Sequence, residues 1–418
     1  MPNQAVPISE QVQEFNQKIL AAWWSFPFET PGLGKTYTLI EQQVHEAELD
    51  RFVDSLLRQL KDLPADLEAR RAVQEQVIAR GFDFAGQSLE MSAAQLNLIR
   101  QQGFLDAGRR FAQMAREFDP TISADDIYQA GRNVMTMNFI QVLLGMPVEI
   151  TPAVFAYSML YPYTDNYIDD ANVPSGERRA FNRRFRDLLE GKAIQPANPH
   201  EEIICRLVEM IERQYKRARY PQVYASLLAI HTAQARSLQL ICPGAAPKGV
   251  PPYELDVLGL SFEKGGTSVL ADGYLIAGDL SAAQAGFLYT YGAYTQLMDD
   301  LEDVAPDRRA GRMTIFSQCA GHWPLDALTN RTFRLGARLF EDVSMFPGAG
   351  APLLKEIIAG NINPVLIDTA ARAHQFYTPG YLRGLEKYMP FRYRALEKQR
   401  NQLQKKHVAL TGWIEVFL

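Results

Sequence analysis

Two short acidic segments carry the residue types best suited to chemistry. The first reads Tyr163-Thr164-Asp165-Asn166-Tyr167-Ile168-Asp169-Asp170, and the second Gln296-Leu297-Met298-Asp299-Asp300-Leu301-Glu302-Asp303. In each, two aspartates stand four positions apart: Asp165 with Asp169, and Asp299 with Asp303. On a helix such a pair shares one face, one turn apart. Two carboxylates at that spacing hold a hard cation through oxygen. Each segment also closes a long, mostly apolar helical stretch, where the negative pole of the helix dipole disfavours carboxylates. Neither segment contains Lys or Arg. Like charges at this spacing cost about 0.2–0.5 kcal/mol per exposed pair, and more in a cleft. A divalent cation removes that conflict. For one such motif a solvated acidic face is the ordinary reading. Here there are two, each after an apolar helix and each before turn residues (Val173-Pro174-Ser175-Gly176 and Ala305-Pro306-Asp307), which favours a site. The expected metal set is Asp165, Asp169, Asp170, Asp299, Asp300 and Asp303, with Asp165, Asp169, Asp299 and Asp303 as the catalytic pairs.

Other residues could complete such a site. Lys264-Gly265-Gly266-Thr267-Ser268 interrupts a largely apolar run, Leu255–Ile276. Two glycines cost about 2 kcal/mol against alanine in a continuous helix. They predict a kink that opens backbone toward a ligand, with a plain loop between two helices as the alternative. Arg312 follows Gly311 and can grip phosphate oxygens with two parallel donors. Tyr161, Tyr163 and Tyr167 surround the first cluster, and Tyr289, Tyr291 and Tyr294 precede the second. Aromatic faces stabilise cations by about 0.5–2 kcal/mol each, although most tyrosines simply fill cores. Tyr163, Tyr167, Gly265 and Gly266 are the candidates for a cavity wall. The segment Phe28–Thr36 imitates a phosphate-binding loop, but Glu29 stands where a Gly is required and no apolar strand precedes it, so a helix–loop–helix junction is expected.

The elements that must position these residues are helices. Apolar residues recur at steps of three and four over Ile8–Trp24, Thr38–Leu63, Leu67–Arg80, Ser123–Gly145, Glu201–Arg219 and Pro221–Gln239. Thr151-Pro152 opens a further helix. Ser281-Ala282-Ala283-Gln284 is a capping box that opens one running through Val304. Later helices are expected over Pro324–Val343, Pro352–Ala373 and Pro379–His407, and a loop over Cys242–Pro252. Alternating strand patterns are scarce. The expectation is an all-α bundle of about ten or more helices, with residues 1–120 packed as a helical segment on a core of 121–418 in one continuous domain.

Bulk properties exclude several classes. The chain has 418 residues, 47% of them hydrophobic, and a formal charge of −5, so no basic surface points to nucleic acid. Three scattered cysteines suggest neither a zinc ribbon nor a disulfide framework. The N-terminus shows no basic region followed by an apolar stretch, and no run of about 18 apolar residues is present. A cytoplasmic setting is expected.

The second cluster, with Arg308, Arg309, Gly311-Arg312 and Thr314, resembles the second Asp-rich motif of trans-prenyl diphosphate synthases, and its Glu302 also fits the form found in squalene and phytoene synthases. The first cluster is similar to the DxxxD motif of large bacterial class I terpene synthases of the tetraprenyl-β-curcumene synthase type. The resemblance covers about residues 125–320. It implies a type I isoprenoid synthase: a large single helical bundle with the site in a central cavity, using Mg²⁺ (three ions with bound diphosphate) to ionise a prenyl diphosphate. Lys264 matches a diphosphate-binding Lys at a helix break, although Gly265 replaces the Thr that follows it in the family. Arg312, Arg178 and Arg179 are the other diphosphate candidates; the run 178–186 reads equally well as a solvated basic face. A cyclising or eliminating terpene synthase is the first expectation, because the first motif resembles that group and no Gly-Lys-x-x-Arg-Pro segment lies near the N-terminus. A chain-elongating prenyltransferase is second, and a head-to-head synthase third. A helical scaffold or acidic cation-binding module is the reading outside enzymes. The resemblance leaves room for a homodimer and for peripheral membrane contact to release a lipophilic product.

Overall fold

The computed structural model describes residues 6–61, 64, 66–169, 173–241 and 255–405. Among them the chain forms eighteen α-helices. They are α1 Ile8–Ser25, α2 Leu39–Lys61, α3 Leu67–Ser88, α4 Ala93–Gln101, α5 Phe104–Phe118, α6 Ala124–Leu143, α7 Pro152–Asp169, α8 Ser175–Leu189 and α9 Pro199–Gln214. There follow α10 Pro221–Ser237, α11 Val257–Ala277, α12 Ala282–Glu302, α13 Val304–Ala310, α14 Ile315–Cys319, α15 Asp326–Leu339, α16 Ala351–Arg372, α17 Pro379–Glu386 and α18 Tyr393–Lys405. No strand occurs among the described residues; extended pairing is limited to one bridge between Ile241 and Arg312. The all-α expectation therefore holds. The expected loop over Cys242–Pro252 lies outside the described residues.

Capping chemistry sets many of the boundaries. Ser281 and Gln284 form the expected reciprocal capping box at the start of α12. The Thr151 hydroxyl accepts from the Val154 N–H at 3.3 Å as α7 begins. Ser123 and Asp256 accept in the same way at the starts of α6 and α11. The segment between α1 and α2 is non-helical, as expected of a junction; its Lys35 pairs with Glu90 rather than standing in a phosphate cradle.

α11 is the axis of the bundle. It is buried on nearly all sides, as an interior helix must be when apolar residues surround it, and α1, α6, α7, α10 and α12 pack around it. Trp23 of α1 is fully buried, with its ring edge-on to Phe262 of α11 at 6.1 Å. One apolar core runs from Ile8 in α1 to Met389 beyond α17, so the first helix is built into the core. α2 and α3 share a small separate cluster around Leu56 and Val77.

Some elements differ from the expectation. The helix expected through Val304 ends at Glu302, and α13 begins at Val304 with Pro306 in its first turn, where a missing N–H costs nothing. The helix expected over 379–407 is split by a turn at 387–392 containing Pro390, since proline disfavours helix at the residue before it. α4 and α5 were not anticipated, although α5 buries Phe104, Ala107, Phe111 and Ala115 on one stripe. The largest correction concerns Gly265 and Gly266. α11 is a continuous helix through both, neither kinked open nor broken into a loop. A Cβ on Gly265 would strike the Gly292 backbone, and one on Gly266 would come within 2.6 Å of the Tyr289 ring. The two glycines let α11 lie close against α12. No helix among the described residues is long and apolar enough to cross a membrane.

Candidate functional site

α6, α7, α10, α11 and α12 line a partly open cavity of about 340 Å³. α11 supplies Lys264, Gly265, Ser268, Val269 and Asp272, which recur at steps of three and four on one helical face. α12 contributes Thr295, Gln296 and Asp299; α6 contributes Gln129, Arg132, Asn133 and Thr136; Tyr161 comes from α7. Lys264, Gly265 and Asp299, all anticipated, thus line one cavity.

The electrostatics are strained at one end. Asp299 is closely surrounded by protein, yet its side chain stays 53% exposed because it faces the cavity. Burial raises its carboxyl above the usual range, and the nearby charges of Asp303 and Glu302 add to that. Arg132 and Lys264 oppose the shift. Arg132 reaches Asp299 at 3.6 Å, a loose ion pair. Asp300 turns inward instead. It is buried, accepts from Ser261 and from Gln296 (2.9 Å), and burial pushes its carboxyl up to about 6. Asp303 is exposed at the end of α12. Glu302 leans outward to Arg372 at 2.9 Å.

Asp307 continues the four-residue step from Asp299 and Asp303 across the α12–α13 junction; its N–H bonds to the Asp303 carbonyl at 2.8 Å. Burial raises its carboxyl to about 6, with Asp300 and Asp303 adding to the effect, while Arg312 opposes it. Arg312 stands 3.5 Å from Asp307. Gly311, left-handed at φ 71°, turns the chain so that Arg312 returns to the acidic end. The period of four was the available signal for Asp307.

Of the first cluster's aspartates, Asp165 and Asp169 are described by their backbone alone. Asp165 and Asp169 lie on α7, one and two turns beyond the cavity residue Tyr161, and Asp170 lies outside the described residues. Arg178 and Arg179 sit in the first turns of α8 and do not line the cavity. Nor do Tyr163 and Tyr167. The Tyr163 hydroxyl donates to Asp119 and its carbonyl meets His200 Nε2 at 2.6 Å. Tyr167 stacks on His200 at 4.8 Å and donates to Glu177 at 3.0 Å. These two tyrosines fasten α7 to its neighbours. Tyr161, hydrogen-bonded to Ser268 across the cavity, is the aromatic that remains in the wall.

Sequence reasoning missed Arg132, Asn133 and Asp272. Asp272 is fully buried; Asn133 donates to its Oδ1 at 3.1 Å, and its Oδ2 has no partner among the described protein atoms. Burial drives its carboxyl well above the usual range.

The donors at the acidic end are carboxylate oxygens, the hard donor type that Mg²⁺ takes. Among the described residues, no three His, Cys, Asp or Glu side chains converge to hold a metal. A Mg²⁺ site here therefore needs the carboxylates of α7 or the oxygens of a bound ligand. Comparison with known proteins finds no matching family model, curated protein or solved structure.

Proposed function

We propose that the protein is a Mg²⁺-dependent class I terpene synthase with an isoprenoid-synthase type of bundle, ionising a prenyl diphosphate in the cavity between α6, α7, α10, α11 and α12. The observation that carries this reading is the meeting of Lys264, Arg132 and Asp299 in one cavity, with the DxxxD positions one and two turns along α7 from its wall.

Lys264 and Arg132 supply positive charge for a diphosphate at the acidic end, already in place when charge develops on the leaving oxygen. Asp299 and Asp303, with Asp165 and Asp169 from α7, are the residues that would hold the metal. Mg²⁺, when bound, neutralises charge on the diphosphate oxygens and so lowers the barrier to breaking the allylic C–O bond. Asp307 keeps Arg312 at the rim of the cluster. Ile230, Val269 and Tyr161 give the prenyl chain its apolar and aromatic contacts.

A second reading, a trans-prenyltransferase, is favoured by Arg132, which adds a second cation to the cavity mouth and suits a second diphosphate. One experiment separates the two. The protein is incubated with geranyl, farnesyl, geranylgeranyl and geranylfarnesyl diphosphates and Mg²⁺, with and without isopentenyl diphosphate, and released diphosphate and products are measured. The terpene synthase releases diphosphate without isopentenyl diphosphate, and Lys264→Ala or Asp299→Asn lowers the rate on the order of 10²-fold or more. Consumption only with isopentenyl diphosphate selects the prenyltransferase. Full activity in both Asp165→Ala and Asp299→Ala rejects the site.

A further inference from the structure

The cavity wall is more polar than a dry hydrocarbon pocket. Beyond Lys264 and Asp299 it presents Asn133, Thr136, Ser268, Thr295 and Gln296. Asp272 lies eight residues beyond Lys264 on the same face of α11, about 12 Å along the helix axis. It is therefore far from the acidic end. A fully buried carboxyl with one oxygen unpartnered among the described residues is expensive. Asn133 is the one hydrogen-bond partner that the described residues give it. Asn133 and Ser158 tie it to α6 and α7: Asn133 Nδ2 donates to Asp272 Oδ1 and Ser158 Oγ, both at 3.1 Å. The bond to Oδ1 leaves Oδ2 for a small polar occupant of the cavity.

We propose that Asp272, oriented by Asn133, holds a water molecule at the inner end of the cavity, and that this water ends the reaction, making the product an alcohol. The inference rests on the terpene synthase reading and specifies its outcome. The water oxygen forms a C–O bond with the cationic carbon, one O–H bond breaks, and the proton leaves to solvent water through the open polar wall. The diphosphate lost at the start is the leaving group, so no oxidant or reductant is needed. Asp272 is a positioning residue for that water.

The test uses the full chain with farnesyl and geranylgeranyl diphosphates and Mg²⁺ in oxygen-18-labelled water. The wild-type protein yields a labelled alcohol. Asp272→Leu, which cannot hold the water, lowers the alcohol-to-olefin ratio of the products formed roughly tenfold, the worth of one hydrogen bond. Asp272→Asn, which still bonds water, restores the alcohol. Asn133→Ala releases Asp272 and shifts products the same way, which keeps the proposal testable should Asp272→Leu fail to fold. An unlabelled or purely olefinic wild-type product, or an unchanged ratio in Asp272→Leu and Asn133→Ala, overturns the proposal while leaving the synthase reading intact. No diphosphate release by the wild-type protein overturns both.

Discussion

Gly265 of α11 and Gly292 of α12 face each other backbone to backbone. A Cβ on Gly292 would meet the Gly265 carbonyl carbon at 2.8 Å, and one on Gly265 would meet that of Gly292 at 3.1 Å, with the oxygens nearer still. The contact sets how close the Lys264–Asp272 face lies to Thr295, Gln296 and Asp299, and so the width of the cavity.

That closeness has an energetic signature. Helix propensity alone makes Gly265→Ala or Gly292→Ala stabilising by about 1 kcal/mol. Forced separation of the two helices makes each destabilising by about 1–3 kcal/mol instead. Denaturant unfolding of the two variants decides by the sign of the change; a gain in either would remove the close-packing account.

Arg132 and Asp299 form an exposed, loose pair, so its removal has little effect on stability, within about 0.5 kcal/mol. Its consequence is for ligands. Arg132 competes with a cation for Asp299 but attracts a diphosphate. Arg132→Gln should therefore bind Mg²⁺ alone more tightly and inorganic pyrophosphate with Mg²⁺ more weakly. Calorimetric titration with each reads the two directions separately, and parallel changes would contradict the assignment.

Asp300 links stability to pH. In an unfolded chain it titrates near 3.8, whereas burial raises it to about 6 in the fold. Between those values the folded protein keeps a proton that the unfolded chain has released. Its stabilising share is full below about pH 4 and is lost as pH rises through about 6, by up to about 3 kcal/mol. With chelator present, the wild-type protein should unfold at lower temperature at pH 7 than at pH 5. Asp300→Asn should narrow that gap, Asp307 accounting for part of what remains. Identical pH slopes in the two proteins would show that Asp300 does not titrate in this range.

The sequence by itself determined the helical class and many helix boundaries, because the 3.6-residue period and caps such as Ser281 and Thr151 act within a few residues. It also revealed both acidic clusters, since a four-residue step is local to one helix. The tertiary structure decided which residues meet. Asn133 and Asp272 are 139 positions apart yet share a hydrogen bond, and Arg132 finds Asp299 only because α6 packs beside α11. Gly265 and Gly266 suggested a break when read alone; the approach of α12 gives them their role. Tyr163 and Tyr167 were equally suited to a wall or a core until the directions of their hydroxyls, toward Asp119 and Glu177, were set by neighbouring helices. Secondary structure is decided by nearest neighbours along the chain, whereas a site is decided by neighbours across it.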